Sequence, residues 1–247
     1  MTTEQILSLR PQLADFLEEF DDCFGRSEPR RHLANYIRGQ LSDLPRKSVE
    51  PIAEFTDTPR RTLQEFLGLS RWDRADLRDR AQQIVARDHA DSQAIGIIDD
   101  SGNPKCGNHT ACVQRQWCGN RGKVENCVVS VHLCYASYDT RFRVMIDSDL
   151  FLPEHTWADP ERRREAGIPD HIVYQPKYQI ALEQVRHAQA NGLHFGWFTF
   201  DEWYASCPDF LAGLEALQQR YVAEIRRNFH GWFCDPASET RAVYRDI

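Results

Sequence analysis

Two short apolar runs that each end in a pair of acidic residues constrain the fold of this chain most strongly. Ile95–Ile98 is followed by Asp99-Asp100, and Phe195–Phe200 is followed by Asp201-Glu202. Apolar runs of this length, rich in β-branched and aromatic residues, are typical of buried strands. The first acid pair has two interpretations. Asp and Gly are favoured in turns for backbone reasons alone, whereas a strand that delivers an acid to its end can place a metal ligand.

The hydrophobic pattern changes from helical to strand-like near residue 93. The predicted strands are Ala94–Asp99, Val124–Tyr135, Thr140–Ile146, Phe195–Phe200 and Tyr221–Ile225, with helices before and after the fourth strand. This order, β-β-β-α-β-α-β, predicts an α/β (α+β) fold in which helices flank a mixed sheet. Since the first and fourth strands of such a sheet can be neighbours, we expect both acid pairs to project from the same edge.

Residues 1–90 are predicted to form a helical module, and residues 91–247 the sheet domain. Apolar residues recur at helical spacing through the first part. A break at Phe24–Arg26 precedes Ser27, which we expect to cap the second helix. Ser70, with Asp73 three residues later, resembles a capping box for the last helix. Such modules often dock on DNA, although a plain helical bundle explains the periodicity equally well.

Charge is unevenly distributed along the sequence. With 30 Lys and Arg against 37 Asp and Glu, the net charge of −7 argues against a protein that coats nucleic acid with its whole surface. Two stretches are nevertheless basic: Arg26–Lys47 has six Lys or Arg against two acids, and Gly102–Glu125 has four against one. These stretches indicate either directed contact with phosphate or two solvated faces.

Export and membrane insertion are not expected. The N-terminus has no charged-then-apolar signal pattern, and no apolar run approaches the roughly 18 residues that span a bilayer. We therefore expect a cytoplasmic protein whose eight cysteines are reduced thiols.

A zinc site from Cys106, Cys112, Cys118 and Cys127 with His109 would lack the usual Cys-x-x-Cys spacing. The sequence also has no Gly-x-Ser-x-Gly nucleophile elbow and no glycine-rich phosphate loop.

The two acid pairs suit metal-dependent phosphodiester chemistry. Two divalent ions about 3.5–4 Å apart can activate the attacking oxygen and stabilise the leaving oxygen. Mg²⁺ and Mn²⁺ prefer oxygen ligands, so carboxylates are the expected protein ligands. The candidate ligands are Asp99, Asp100, Asp201 and Glu202.

Several short motifs occur together in one order along most of the chain. They are Phe24–Arg31, Leu44–Glu50, Asp99–Lys105, Gln116–Gly119, Asn126-Cys127, Leu150–Pro153, Arg162–Pro169 and Thr199–Tyr204. With these motifs the chain resembles bacterial insertion-sequence transposases of the DDE superfamily, whose catalytic domain has the ribonuclease-H-like fold.

The resemblance implies that Asp99 is the first catalytic acid and Asp201 the second, with Asp100 and Glu202 as neighbours of less defined role. It implies bound Mg²⁺ (or Mn²⁺), hydrolysis of the strand at the transposon end, and attack of the freed 3′ hydroxyl on target DNA. The partners would be double-stranded DNA and, in the active state, a second copy of the chain. Candidate DNA contacts are Arg26, Arg30, Arg31, Arg38, Arg46 and Lys47 in the helical part and Lys105, Arg121 and Lys123 near the first acid. Salt bridges and solubility are alternative roles for each of these basic residues.

The sequence departs from the family pattern at the third acid. The resemblance implies a glutamate on a helix well after the fifth strand, and Glu239 is the one glutamate after Ile225. We therefore expect a transposase truncated after the fifth strand and impaired by itself, since losing one of three ligands weakens metal binding. The alternative is a non-catalytic DNA-binding remnant or an inhibitor of the full-length transposase.

Overall fold

The computed structural model describes residues 3–70, 72–228, 230–231 and 242–243. The chain divides into two compact units, Met1–Ala81 and Gln82–Ile247. The sequence places the boundary after residue 90, whereas these units divide within a helix, Arg74–Asp88. The reason is that the last turns of this helix belong to the core of the second unit, where Val85 is buried with Ala94 and Leu133.

The first unit is helical. Its helices are α1 (Thr3–Glu18), α2 (Ser27–Gln40), α3 (Val49–Phe55), α4 (Arg60–Gly68) and the start of α5 (Arg74–Asp88), with a 3-10 turn at Asp21–Cys23. Phe24, Ile52, Leu63 and Phe66 are buried at its centre. The ring of Trp72 stacks on that of Phe66, with 5.8 Å between the ring centroids. Across the described residues, no helix is both long enough and apolar enough to cross a membrane.

Two helix caps differ from those expected. Ser27 is the first residue of α2, and the N-cap position is occupied by Arg26, which makes no side-chain cap hydrogen bond. Before α5, Oδ1 of Asp73 accepts a hydrogen bond of 2.7 Å from the backbone N–H of Ala75. Asp73 therefore has the capping role that the sequence assigned to Ser70, because its carboxylate lies next to the first free N–H groups of the helix.

The second unit is built on a mixed sheet. Its strands are β1 (Ile95–Pro104), β2 (Gln114–Cys118), β3 (Lys123–Ala136), β4 (Arg143–Leu150), β5 (Trp197–Phe200) and β6 (Tyr221–Ala223), and a separate pair is formed by β7 (His230–Gly231) and β8 (Ala242–Val243). Its further helices are α6 (Pro160–Glu165), α7 (Lys177–Ala190), α8 (Glu202–Ala205) and α9 (Pro208–Ala216), and a 3-10 turn spans Gly119–Arg121.

The strand order confirms the predicted α/β class. Within the described ranges, β1 lies between β3 and β5, β6 flanks β5, and β2 and β4 both pair with β3. The pairs β1–β5 and β5–β6 are parallel, whereas β3 is antiparallel to β1, β2 and β4. A mixed sheet with this order is consistent with a ribonuclease-H-like domain.

The first strand is longer than expected, and one strand of the mixed sheet was not predicted. β1 continues past Asp99-Asp100 and pairs with β3 without interruption as far as Pro104, opposite Cys127. The strand therefore does not end at Asp99 in a turn, the first of the two interpretations, because the long partner strand supplies ladder hydrogen bonds that override local turn preference. β2 lies in the region that we expected to be a polar loop, since its residues are largely polar and lack a clear alternation.

One face of the sheet is covered by α7 and α9. The core there contains Ile98, Leu133 and Phe198, each almost completely buried. A Cβ atom added to Gly96 of β1 would lie 2.4 Å from a ring carbon of Phe198. The ring therefore packs directly on the glycine, its partner across the ladder, and helps to hold β1 and β5 in this register.

Asp91 joins the start of β1 to the β3–β4 connection. Its carboxylate accepts hydrogen bonds from the hydroxyl of Ser137 (2.8 Å) and the backbone N–H groups of Gln93 (2.8 Å), Tyr138 (2.7 Å) and Asp139 (3.4 Å). The hydrogen bond from Gln93, then that from Ser137, hold the pKa of Asp91 below its ordinary value of 3.8. Because these bonds favour the charged form, the carboxylate stabilises the fold fully above the ordinary value of 3.8, and it loses this contribution as the pH falls through the lowered pKa of the folded state.

Asp91→Asn should therefore lower the melting temperature at neutral pH, because one acceptor oxygen becomes an amide N–H₂ that faces donors. Below the lowered pKa of the folded state the difference from the unaltered chain should disappear, since Asp91 is then protonated in both the folded and the unfolded chain. Thermal melts followed by circular dichroism at both pH values measure this. A difference that stays constant with pH would contradict the role of the charge.

Candidate active site

Asp99 lies in the middle of β1 on the face of the sheet opposite α7. Its cross-strand partner on β3 is His132, whose Nε2 lies 3.2 Å from the hydroxyl of Ser130. Oδ1 of Asp99 accepts a hydrogen bond of 2.7 Å from the backbone N–H of Asp100. Shielding from water by its surroundings raises the pKa of the Asp99 carboxyl, and the charges of Asp100 and Asp201 raise it further. Asp99 is thus part of a group of like charges that a cation would stabilise.

Asp201 follows β5 directly and caps α8. Its Oδ1 accepts hydrogen bonds from the backbone N–H groups of Trp203 (3.0 Å) and Tyr204 (3.2 Å). The parallel register of β1 and β5 pairs Ile97 with Thr199, and two residues further along each strand are Asp99 and Asp201. The structure therefore brings these two acids, 102 residues apart in sequence, to the same level of adjacent strands.

Asp100 projects to the other face, because successive side chains of a strand alternate. Its carboxylate forms an ion pair with the ammonium of Lys177, the first residue of α7. Nζ of Lys177 also lies 4.3 Å from the ring centroid of Trp203. Asp100 is therefore engaged by a lysine and is separated from Asp99 by the sheet, while Glu202 is exposed at the start of α8.

Tyr204 lies beneath the acids. Its side chain is 1% exposed, and its hydroxyl is buried without a hydrogen-bond partner. Burial raises the pKa of the Tyr204 phenol, and the charges of Asp100, Asp201 and Asp99 raise it further. Sequence reasoning missed the roles of Tyr204, Lys177 and His132. Only Tyr204 had a signal, since it ends the motif Thr199–Tyr204.

The donor set for a metal ion is incomplete. In the part of the chain that the structure describes, no three side chains of His, Cys, Asp or Glu converge to hold a metal. The structure describes Cys106, Cys112, Cys118, Cys127 and His109, and they do not converge in this way. Asp99 and Asp201 each use Oδ1 for backbone hydrogen bonds, so Oδ2 of each is the oxygen suited to bind a cation. Two adjacent carboxylates fit a hard divalent ion as two of its ligands.

The basic residues predicted to contact DNA are mostly exposed. Arg30 is partly buried: it pairs with Asp21 at 3.0 Å and donates to the backbone carbonyl of Phe24. Lys47 donates a hydrogen bond of 2.6 Å to the carbonyl of Gln40. Exposed are Arg26, Arg31, Arg38 and Arg46 in the first unit and Lys105, Arg121 and Lys123 in the second. Among the candidate DNA contacts of the first unit, Arg30, Arg31 and Arg38 line one groove with Leu13 and Leu17 of α1.

A mixed sheet of this order, with two acids at one level of its adjacent parallel strands, is consistent with a ribonuclease-H-like endonuclease domain. The chain belongs to the DDE superfamily endonuclease family, whose sequence model matches residues 19–246. It is 29% identical over 198 residues to a probable transposase for insertion sequence element IS701 from Microchaete diplosiphon. That alignment covers 78% of this chain and 48% of the relative, so the chain spans about half the length of this curated relative. The family that the motifs predict is confirmed.

Proposed function

We propose that this protein is a transposase that cleaves DNA at the ends of an insertion sequence and joins them to target DNA, with Asp99 and Asp201 as its first two catalytic acids. The observation that carries the proposal is the position of these acids at one level of the adjacent parallel strands β1 and β5. The family match and the name of the relative support the reaction class.

The residues of this chain hold the acids in place. Asp201 is fixed by two N–H groups of α8, and Asp99 by the N–H of its neighbour, so neither carboxylate has to be ordered when a ligand binds. Oδ2 of each acid would bind Mg²⁺ or Mn²⁺. When bound, the metal supplies Lewis-acid activation of water and stabilises charge on the phosphate. Glu202 would be an additional outer carboxylate, whereas Asp100 would support the site through Lys177.

Two carboxylates leave the site one acid short of the family pattern. We propose that the two described acids by themselves support only weak cleavage, and that a third carboxylate from outside the described residues is needed for full activity. The DNA itself would be held by the helical unit, through its exposed arginines, and by Lys105, Arg121 and Lys123 near Asp99. Such a protein would act in the bacterial cytoplasm on nucleoid DNA, and as a homodimer when active.

A nicking assay on supercoiled plasmid that carries the DNA flanking the gene tests this function. We expect slow nicking that requires Mg²⁺ or Mn²⁺ and is lost in both Asp99→Asn and Asp201→Asn. Glu202→Gln, which alters the exposed neighbour, should retain most of the nicking. Nicking that survives in Asp99→Asn would contradict the assignment. DNA binding without nicking under any metal condition would instead favour a non-catalytic remnant or inhibitor of the full-length transposase.

A further inference from the structure

The β2–β3 hairpin exposes a tryptophan on one of its faces. Trp117 of β2 pairs with Val124 of β3, and Arg115 pairs with Asn126. Since paired residues of an antiparallel ladder project to the same side, these four residues form one face, which we call the hairpin face. Trp117 is 62% exposed and Val124 is 50% exposed. Trp117 and Val124 therefore form a small exposed apolar patch on the hairpin face.

The surroundings of Trp117 are positively charged. Arg115 lies on the hairpin face, Arg121 lies in the 3-10 turn that joins the strands, and Lys105 follows β1; all three are exposed. Lys123 is also exposed and lies 3.8 Å from Glu125, the one acid between Gly102 and Glu125. A local excess of cations on a chain with a net charge of −7 favours an anionic partner at this face.

The hairpin is fastened to the strand that carries Asp99. The amide of Asn120 donates a hydrogen bond of 2.8 Å to the carbonyl of Gly102, and the thiol of Cys118 donates one of 3.3 Å to the same oxygen. A Cβ atom on Gly102 would lie 3.0 Å from the Cα and Sγ atoms of Cys118, so the approach is close. Gly102 is three residues beyond Asp99, which is about 10 Å along a strand. Since alternate residues of a strand share a face, Gly102 presents the face of Asp100 to Cys118. The hairpin turn therefore contacts β1 a few residues from Asp99, on the other face of the sheet.

We propose that the hairpin face binds DNA with unpaired or unstacked bases, and that Trp117 stacks on an exposed base. This inference rests on the proposed function, and it specifies which form of DNA the protein binds. Aromatic stacking requires a free base face, which an intact duplex does not offer except at its ends, whereas nicked, frayed or locally opened DNA does. Arg115, Arg121 and Lys105 hold the neighbouring phosphates, so that cations and ring act on one strand.

The test compares two fluorescently labelled DNAs of one sequence, a fully paired duplex and the same duplex with a short unpaired stretch. Binding is measured by anisotropy in EDTA, which prevents cleavage. The unaltered chain should prefer the partly unpaired DNA, and Trp117→Ala should lose affinity for it on the order of tenfold. Affinity for the paired duplex should change little, and Trp117→Phe should retain most of the preference.

Tyr138→Ala is the matched control, because Tyr138 is 71% exposed on a different strand connection of the same sheet; it should bind both DNAs like the unaltered chain. Arg121→Gln should weaken binding to both DNAs and lower the slope of log affinity against log salt by about one. Equal preference in Trp117→Ala and the unaltered chain would overturn the hairpin inference and leave the proposed function intact. If the unaltered chain bound neither DNA, the proposed function would fail together with the inference.

Discussion

The Asp99→Asn variant should bind Mn²⁺ at least about 100-fold more weakly than the unaltered chain, since loss of an outer-shell partner alone costs about 10–100-fold in metal affinity. The physical reason is that an amide oxygen has no charge to offset the dehydration of a divalent ion. Asp201→Asn should have a similar effect, and the double variant should be little worse than either single variant, because the two acids act on one ion. Isothermal titration calorimetry with Mn²⁺ measures all three.

Asp100→Asn is the matched control for this prediction, because it removes the same charge one residue away on the other face of the sheet. Its metal affinity should fall only slightly. Its stability should fall by about 1–2 kcal/mol, since Lys177, whose side chain is 22% exposed, loses a charge-assisted hydrogen bond. If Asp100→Asn lost as much Mn²⁺ affinity as Asp99→Asn, both carboxylates would be ligands, and the division of roles by strand face would be wrong.

The Phe198→Ala variant should lose about 3–5 kcal/mol of unfolding free energy, the range for a large aromatic side chain removed from a core. Phe198 is completely buried in the core between the sheet and α7, and its ring fills the space above Gly96. The loss should be large because the deleted ring leaves a cavity between β1 and β5 that rigid strands cannot close. Urea unfolding followed by circular dichroism measures it.

Val222→Ala provides the comparison for Phe198→Ala. Val222 lies on the adjacent strand β6 and is 63% exposed, so its truncation should change stability by no more than about 0.5 kcal/mol. Gly96→Val should also destabilise the fold, because the new side chain would enter the space of the Phe198 ring. Equal stability of Phe198→Ala and Val222→Ala would contradict the role of the ring in fitting β1 to β5.

The sequence predicted the pairing of the two acids for a physical reason. Both acids follow apolar runs that are typical of buried strands, and the first and fourth predicted strands of a mixed sheet can be neighbours. The α/β class followed from the same runs and the family from the motifs along the chain, whereas β2 and the full order of strands in the sheet were not predicted. The helices of the first unit were predicted well because their apolar spacing is regular.

Features that depend on tertiary contacts could not be predicted. β1 continues through the turn-prone Asp99–Gly102 because β3 pairs with it, and no local signal shows that partner. β2 forms from polar residues only because β3 extends beyond β1. The pairing of Asp100 with Lys177 joins residues 77 positions apart, and nothing in the local sequence of either residue indicates it.

The most direct test of the account is the location of a divalent ion in crystals of this protein grown with Mn²⁺. An anomalous difference map should show a peak about 2.1 Å from a carboxylate oxygen of both Asp99 and Asp201, on the face of the sheet that carries His132. The carboxylate of Asp100 should remain on Lys177. A map with no peak between Asp99 and Asp201, or with the ion on Asp100 instead, would contradict the assignment of the two acids as the metal-binding core of the site.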